Sequence, residues 1–434
     1  MSIFHAYDIR GKYPRELNEK TTEHIAYTFV LFLNAKNIVI GRDARISSPA
    51  LWNAVVRGLR RAGAHVTDIG LCTTPQLYFA SAYYHFDGAI MITASHLPPD
   101  YDGLKLCGKN AEALSSATGL KTIEQMLTRP PVVQKNGSYT KKTIHLDYMR
   151  FCLKKRKKTS LRAVVDCGNM MGSLDLPILK KVCAVHPLFV PIDGTMPNRQ
   201  PDPLIPANIR AAQKYVRAKK ADLGIIFDAD ADRVVFLDEQ GTPIAPDLVT
   251  GLLGLHLTSP SDRILFDVRS SHYLQEKLRQ MKRKTIIGKV GHSLMMHTML
   301  KSKAVFGGEK SGHYFFRDFF SADNALLAAL TMLEILDTKQ QALSTLVSAI
   351  HEGYQTPELD YSVTDKQQTL KKIEQKWGKK AQTVSHLDGV TIIYPTFWFN
   401  IRQSNTQDLL RVTIEAREKK QLQTLQKKLA AFFV

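Results

Sequence analysis

Long apolar runs are missing from this 434-residue chain. None reaches the length of about eighteen residues that a membrane-crossing helix needs, so no membrane partner is expected. The opening residues, Met1-Ser2-Ile3-Phe4-His5-Ala6-Tyr7-Asp8, carry no basic stretch followed by an apolar one. A secretory signal is therefore not expected, and the two absences together predict a cytoplasmic protein. Cysteine is scarce, with five residues (Cys72, Cys107, Cys152, Cys167, Cys183) and no Cys-x-x-Cys pair. An odd, scattered set argues against a disulfide framework or a zinc site and predicts idle or buried thiols in a reducing compartment. Acidic residues are in deficit, 40 against 59 Lys and Arg, which leaves a formal charge of +19. Such a surplus suits nucleic acid, anionic membranes or small phosphorylated ligands. The densest basic run, Lys154-Lys155-Arg156-Lys157-Lys158, has no interleaved aromatics on which bases would stack. It precedes the apolar stretch Leu161-Arg162-Ala163-Val164-Val165 and reads as a solvated helix end and loop, so no nucleic-acid partner is expected.

Short β-branched runs alternate with amphipathic stretches, which predicts an α/β protein of several domains. Asn37-Ile38-Val39-Ile40 reads as a strand, and Ser48-Pro49 opens a helix that runs through Leu59. Another helix is expected over residues 322–336 with Ser321 as its N-cap. The polar stretch 129–142 marks a first boundary, and the long loop beginning at Asp193-Gly194-Thr195-Met196-Pro197-Asn198 is of a length usually tied to function. The expected division is 1–138, 139–240, 241–353 and 354–434, the last a small α+β domain. Three brief apolar runs, at residues 89–92, 223–227 and 304–306, each empty into a polar loop of small residues. Ligands in open α/β sheets bind beyond strand ends, so these three ends are expected to face one cleft.

Asp228, Asp230 and Asp232 alternate with alanines after the second of these runs. Period-two spacing aims them in one direction if the chain stays extended, and their mutual repulsion calls for a hard cation, for which Mg²⁺ is the leading reading. The other readings are a solvated acidic turn and a Ca²⁺ loop with Glu239 at its twelfth position. Arg233 stands where that loop needs glycine, and the flanks are strand-like. Arg233 itself suits a phosphate or a carboxylate. Ser95, in Thr93-Ala94-Ser95-His96, lacks the Gly-x-Ser-x-Gly surroundings of an esterase nucleophile. A phosphoserine there would need charge neutralisation, which Arg10, His96, Lys105 and the cation could supply. In Gly308-Glu309-Lys310-Ser311-Gly312-His313, Glu309 and Ser311 are spaced to grip sugar hydroxyls, and His313 could join them or move a proton. The other reading of that segment is a Gly-rich turn with a charged exterior. Arg402-Gln403-Ser404-Asn405-Thr406 could form an anion cradle or an ordinary polar loop.

Taken in order, and with Ala6-Tyr7-Asp8-Ile9-Arg10-Gly11 at the start, these motifs resemble the α-D-phosphohexomutase family. The nearest likeness is to its bacterial phosphomannomutase/phosphoglucomutase members. The resemblance implies three related mixed α/β domains plus a smaller C-terminal α+β domain around one central cleft. The first would bear the phosphoserine, the second the metal, the third the sugar site and the fourth a phosphate site. It implies an isomerase that interconverts hexose 1-phosphate and hexose 6-phosphate, of mannose and also glucose, through a phosphoserine and a hexose 1,6-bisphosphate. On this reading Ser95, Asp228, Asp230 and Asp232 hold Mg²⁺. Arg10, Lys105 and His313 stabilise charge or move the proton. Glu309 and Ser311 bind the 3- and 4-hydroxyls, which both sugar orientations present at one place. Arg402, Ser404, Asn405 and Thr406 hold the non-reacting phosphate. Tyr7, His96, Arg233, Arg269 and His292 complete the substrate site, with phosphosugars as the partners and a monomer expected. The loop from Pro98 to Lys105 and the Gly-His ending of the sugar segment resemble the mannose/glucose branch. A phosphoglucosamine mutase and a catalytically weak sugar-phosphate-binding homologue are the other readings. Two residues depart from the pattern: Leu97 where the family usually has Asn, and Arg269 where relatives near this branch often have Lys.

Overall fold

The computed structural model describes residues 2–128, 137–404 and 409–433. No helix among them is long and apolar enough to cross a membrane. The first sheet runs in the order Ile9–Lys12, Tyr101–Cys107, Gly88–Ile92, Asn37–Arg42, His65–Leu71, Tyr139–Lys141. Its middle strands are parallel and covered on both faces, which explains why they read as continuous apolar runs. Alternation is still present. Ile38, Ile40, Ile90 and Ile92 pack with Phe29, Leu51 and Val55 of the helices Glu19–Leu33 and Ser48–Arg61. Val39, Ala89 and Met91 face the other way, towards Tyr78 and Phe79 of the helix Thr74–Tyr83. That second layer continues without a break into Phe227, Leu265, Phe306 and Leu333, so the first three units share one core.

The second sheet has the order Val234–Leu237, Leu223–Phe227, Arg162–Asp166, Ala184–Leu188, and the third Lys284–Gly288, Arg263–Asp267, Phe306–Gly308, Tyr314–Phe316. One device recurs in all three units. Gly88–Ile92, Leu223–Phe227 and Phe306–Gly308 each have a parallel neighbour on one side. On the other side each turns back as an antiparallel hairpin, into Tyr101–Cys107, Val234–Leu237 and Tyr314–Phe316. The hairpin loops are residues 93–100, 228–233 and 309–313. They hold the serine, the aspartates and the glutamate picked out above. The C-terminal unit is an antiparallel sheet, Tyr354–Gln355, Leu410–Ala416, Phe397–Gln403, Val390–Tyr394, Thr383–Ser385, with its own core under the helices Lys366–Trp377 and Lys419–Ala430.

Three local expectations change. The helix expected over 322–336 runs Ala325–Lys339, capped by Asn324, whose side chain accepts from the Leu327 amide, while Ser321 sits in the left-handed region (φ 59°) and cannot cap it. The strand expected at 304–306 is Phe306–Gly308. The basic run at 154–158 is not wholly solvated: Arg156 donates to Glu334 Oε2 (2.7 Å) and Thr331 Oγ1 (3.0 Å). All five cysteines are free and buried.

The third and fourth units meet at a buried polar knot. Glu415 Oε2 accepts from the His272 amide (2.9 Å) and from the Trp398 indole, and the His272 ring stacks on Trp398 at 4.3 Å. Burial pushes the Glu415 carboxyl from its ordinary 4.5 up to about 7. The folded chain thus holds a proton there that the unfolded chain has already lost. Stability falls as pH rises between about 4.5 and 7, by at most about 3 kcal/mol, and is flat above. Glu415→Gln keeps an acceptor for Trp398 and is expected to remove this slope and raise the thermal midpoint at pH 8. Midpoints measured from pH 5 to 8 check it; an unchanged slope would refute the assignment.

Candidate active site

Ser95 is fully buried in the loop after Gly88–Ile92, with φ of 51°. Its amide donates to Thr93 Oγ1 (2.8 Å) and its Oγ donates to Asp228 Oδ2 (2.9 Å) across the first two units. Such a left-handed backbone is held only when the surroundings over-determine it. Here the agent is Arg45, which the sequence reading did not pick out. It is 1% exposed, and all its donors are used. Nε bonds Asp43 (3.1 Å), Nη1 bonds the carbonyls of Pro98 (2.6 Å) and Tyr101 (3.0 Å), and Nη2 those of Ser95 and Leu97 (both 2.7 Å). One guanidinium therefore gathers four carbonyls of the serine loop. Leu97, which departs from the family pattern, joins this set through its backbone carbonyl. Arg45→Lys is expected to lower kcat about tenfold or more, since one ammonium cannot replace a five-donor fork. Leu97→Asn should stay within about twofold of wild type, because the Leu97 contact is made by its carbonyl. Steady-state rates of both variants check this; a Leu97→Asn effect as large as that of Arg45→Lys would contradict it.

The three aspartates converge, but through a tight turn with Ala231 at φ 55° and not through the extended chain that the period-two spacing assumed. They are at most 1% exposed, and one oxygen from each lies within 4.8 Å of the others. Burial and repulsion from Asp232 and Asp230 push the Asp228 carboxyl well up. Asp232 is held well down against its burial by Lys105 and His313. Lys105 reaches into the cluster: its Nζ donates to Asp230 Oδ2 (2.7 Å) and also to Asp232 Oδ2. Asp230 Oδ1 and Asp232 Oδ1 are buried and have no hydrogen-bond partner among the described residues. All-oxygen donors with buried, spare acceptors suit a hard divalent cation. Thr74 Oγ1 donates to Asp230 Oδ2 (2.6 Å) and fixes that side chain.

Arg233 joins this loop to the sugar segment. Its amide donates to Asp228 Oδ1 (3.2 Å), and its Nε lies 3.3 Å from His313 Nε2, a contact that opposes the protonation of that ring. His313 Nδ1 lies 2.8 Å from Ser311 Oγ and 3.2 Å from Glu309 Oε2. Although burial opposes it, Asp232 and Glu309 raise His313 to about 9. Glu309 is drawn down to about 2 against its burial, by His313, Arg269 and the Gly291 amide, which donates to its Oε1 (2.6 Å). His292, by contrast, is pushed to about 4 by burial and by Lys105 and His313. Its ring stands 6.0 Å from that of His313 and 6.1 Å from that of Tyr7. Tyr7 closes the first unit on the third by donating to the Val290 carbonyl (2.7 Å). Gly291 is required there: its φ is 128°, and a Cβ would lie 2.3 Å from the Tyr7 ring.

Arg10 donates to Asp8 (2.7 Å) and to the Ala94 carbonyl (3.1 Å), which places it against the serine loop. His96 is half-buried, and burial with Arg233 and Arg10 nearby keeps its ring neutral. Arg402 is buried on the strand Phe397–Gln403 and donates to Glu358 (2.8 Å). Arg269 is bound to Asp267 through Nε (3.2 Å) and Nη2 (2.6 Å). Ser404 follows the Arg402 strand, and its amide donates to the Leu409 carbonyl (2.9 Å). Asn405 and Thr406 lie outside the described residues.

The sequence reading also missed Asp323 and Glu358. Asp323 is fully buried, 3.7 Å from His313 Nε2, and burial lifts its carboxyl to about 7. Its only sequence signal is a place ten residues beyond His313, which says nothing of contact.

The chain matches known proteins along its length. Residues 1–131, 138–241 and 245–354 match alpha/beta/alpha domains I, II and III of phosphoglucomutase/phosphomannomutase, and residues 358–432 match its C-terminal domain. The chain is 33% identical to the "Phosphohexose mutases" of Xanthomonas campestris pv. campestris over 96% of its length and 95% of theirs. It is 32% identical to the phosphomannomutase of Escherichia coli K12, with coverage of 96% and 95%. It is 33% identical to the phosphomannomutase/phosphoglucomutase of Pseudomonas syringae pv. tomato, with coverage of 98% and 93%. A crystal structure of a phosphoglucomutase/phosphomannomutase family protein from Burkholderia thailandensis superposes with a TM-score of 0.93 at 30% identity, over 99% of this chain and 96% of that one.

Proposed function

We infer the mechanism from one premise: the chain belongs to the phosphoglucomutase/phosphomannomutase family, the α-D-phosphohexomutases, and is a phosphohexomutase, an isomerase. We propose that it interconverts the 1- and 6-phosphates of mannose, and also of glucose, by way of a phosphoserine at Ser95 and a hexose 1,6-bisphosphate. The observation that carries this reading is the buried contact of Ser95 Oγ with Asp228, inside a cluster that also holds Asp230, Asp232 and Lys105.

Ser95, Asp228, Asp230 and Asp232 would hold Mg²⁺. When bound, that ion offsets negative charge on a phosphoryl oxygen as the group moves. The phosphoryl group leaves Ser95 Oγ for a hydroxyl of the bound sugar phosphate, and the hydroxyl proton passes by way of the protein to the Ser95 oxygen that is freed. His292 is neutral at pH 7 and offers a ring nitrogen to that proton in transit, while burial, Lys105 and His313 oppose its holding the proton. Lys105 and His313 are cationic and suit charge stabilisation instead. Arg10 stands beside the serine loop to meet the phosphoryl oxygens. The ionised Glu309 and the Ser311 hydroxyl grip the 3- and 4-hydroxyls, and Tyr7, His96 and Arg233 line the approach. Arg402 and Arg269, with Ser404, Asn405 and Thr406, bind the phosphate that does not react. Once the sugar has turned end for end, its other phosphate returns to Ser95 Oγ and the enzyme is restored.

The test is direct. Protein is incubated with Mg²⁺, a trace of hexose 1,6-bisphosphate and mannose 1-phosphate, and mannose 6-phosphate is followed, with glucose 1-phosphate and glucosamine 1-phosphate in parallel. Turnover of the mannose and glucose esters, with phosphate on Ser95 by mass spectrometry, is expected. Faster turnover of the glucosamine ester would overturn the sugar assignment, and turnover without phosphate on Ser95 would overturn the mechanism.

A further inference from the structure

We infer that Glu358 is a positioning residue of the phosphate site, holding the guanidinium of Arg402 against that of Arg269 where the third unit meets the fourth. The inference rests on the proposed role of Arg402 in binding phosphate. Glu358 lies between the strands Tyr354–Gln355 and Leu359–Tyr361, where the chain enters the C-terminal sheet. Its Oε1 accepts from Arg402 Nη2 at 2.8 Å, and its Oε2 is 3.5 Å from Arg269 Nη1 and 3.7 Å from Arg411 Nη1.

Arg402 and Arg411 are direct partners across the strand pair Phe397–Gln403 and Leu410–Ala416. Like charges so placed repel, and the repulsion grows with burial. The Arg402 side chain is only 1% exposed, so an anion between the two is needed to keep both in place. Glu358 is that anion. The three arginines hold its carboxyl below the ordinary range in spite of its burial. Among the described residues Arg402 is gripped at one end only. Its Nε is buried and has no partner among the described residues, which leaves a donor in a fixed direction for a ligand.

Arg269 is fixed from the opposite side. Asp267 takes its Nε and Nη2, so Nη1 is the end presented to Glu358. A lysine at this position has a single nitrogen and could not engage Asp267 and Glu358 through separate donors of fixed geometry. The arginine at 269 thus gives this chain a continuous tie, Asp267–Arg269–Glu358–Arg402, from the third sheet to the fourth. A carboxylate in a phosphate site would ordinarily weaken it by repulsion. Here it occupies one corner of Arg402 and orders the rest, so its removal is expected to weaken binding.

The experiment measures KM and kcat with mannose 1-phosphate, and calorimetric Kd for inorganic phosphate, in wild type, Glu358→Gln, Arg402→Ala and the double variant. Glu358→Gln is expected to raise both KM and Kd about tenfold, the size of one lost charge-assisted bond, with kcat within about twofold. In the Arg402→Ala background the added Glu358→Gln change should do little, because the group it acts through is gone. Glu358→Asp keeps the charge and should recover part of the loss. An Asp variant no better than the Gln variant would overturn the role of the charge. An unchanged KM in Glu358→Gln, while Arg402→Ala raises it, would overturn the proposal and leave the phosphate site standing. A lower KM would mean that Glu358 competes with phosphate, which also overturns it. If Arg402→Ala leaves KM and Kd unchanged, the phosphate-site reading itself fails.

Discussion

Ser95→Ala is expected to lower turnover by about 10⁴-fold or more, because it removes the oxygen proposed to carry the phosphoryl group. The side chain that is lost is small. Among the described residues its Oγ makes a single hydrogen bond, to Asp228, whereas the loop is held through the Ser95 carbonyl and amide, which alanine keeps. The thermal midpoint should therefore stay within roughly 2 °C of wild type. Ser95 has a left-handed φ of 51°, but alanine meets the same backbone cost as serine, so nothing is relieved. Mass spectrometry of the variant after incubation with hexose 1,6-bisphosphate should find no added phosphate at residue 95. Rates near wild type, or a phosphate elsewhere in the loop, would remove Ser95 from its proposed role.

Asp228→Asn should separate activity from stability. Turnover is expected to fall about 10³-fold, since one of the proposed cation's protein ligands is exchanged for a weaker one next to Ser95. The chain without divalent cation should become more stable, by roughly 2–5 °C. The reason is the charge census of the pocket. Asp228 is buried, and repulsion from Asp230 and Asp232 outweighs the attraction of Arg233, 3.9 Å away, and of Lys105, which bonds those two carboxylates and not Asp228. The amide has no charge to bury and can still accept from Ser95. Midpoints with excess chelator and with added Mg²⁺ check both halves: wild type should gain from Mg²⁺ and the variant should gain much less. A variant less stable than wild type in chelator would mean that the repulsion is already relieved by other means.

How much of this was legible in the sequence differs from residue to residue. Leu223-Gly224-Ile225-Ile226-Phe227 read as a buried strand, and it is one, with its bounds unchanged. The alternating aspartates after it do converge, because a tight hairpin between paired strands leaves them little freedom. The serine after Gly88–Ile92 and the glutamate after Phe306–Gly308 were visible for the same reason: each is a short polar loop bounded by strands. The helix cap at Asn324 was misplaced by three residues. Ser321 and Asn324 are both good caps in isolation, and only the turn that sets Ser321 at positive φ decides between them.

What the sequence by itself determined is the set of elements, their α/β order, and the loops in which chemistry-bearing residues are concentrated. Hydrophobic spacing and turn residues act over a few positions, so they are readable locally. What only the tertiary structure decided is which distant groups share a charge environment. Lys105 stands among Asp230 and Asp232, Arg45 binds the carbonyls around Ser95, Asp323 backs His313, and Glu358 binds Arg402 and Arg269. Each of these contacts joins residues that no periodicity links. Each is strong because burial removes the water that would otherwise screen it. That desolvation exists only once the four units have closed around the site.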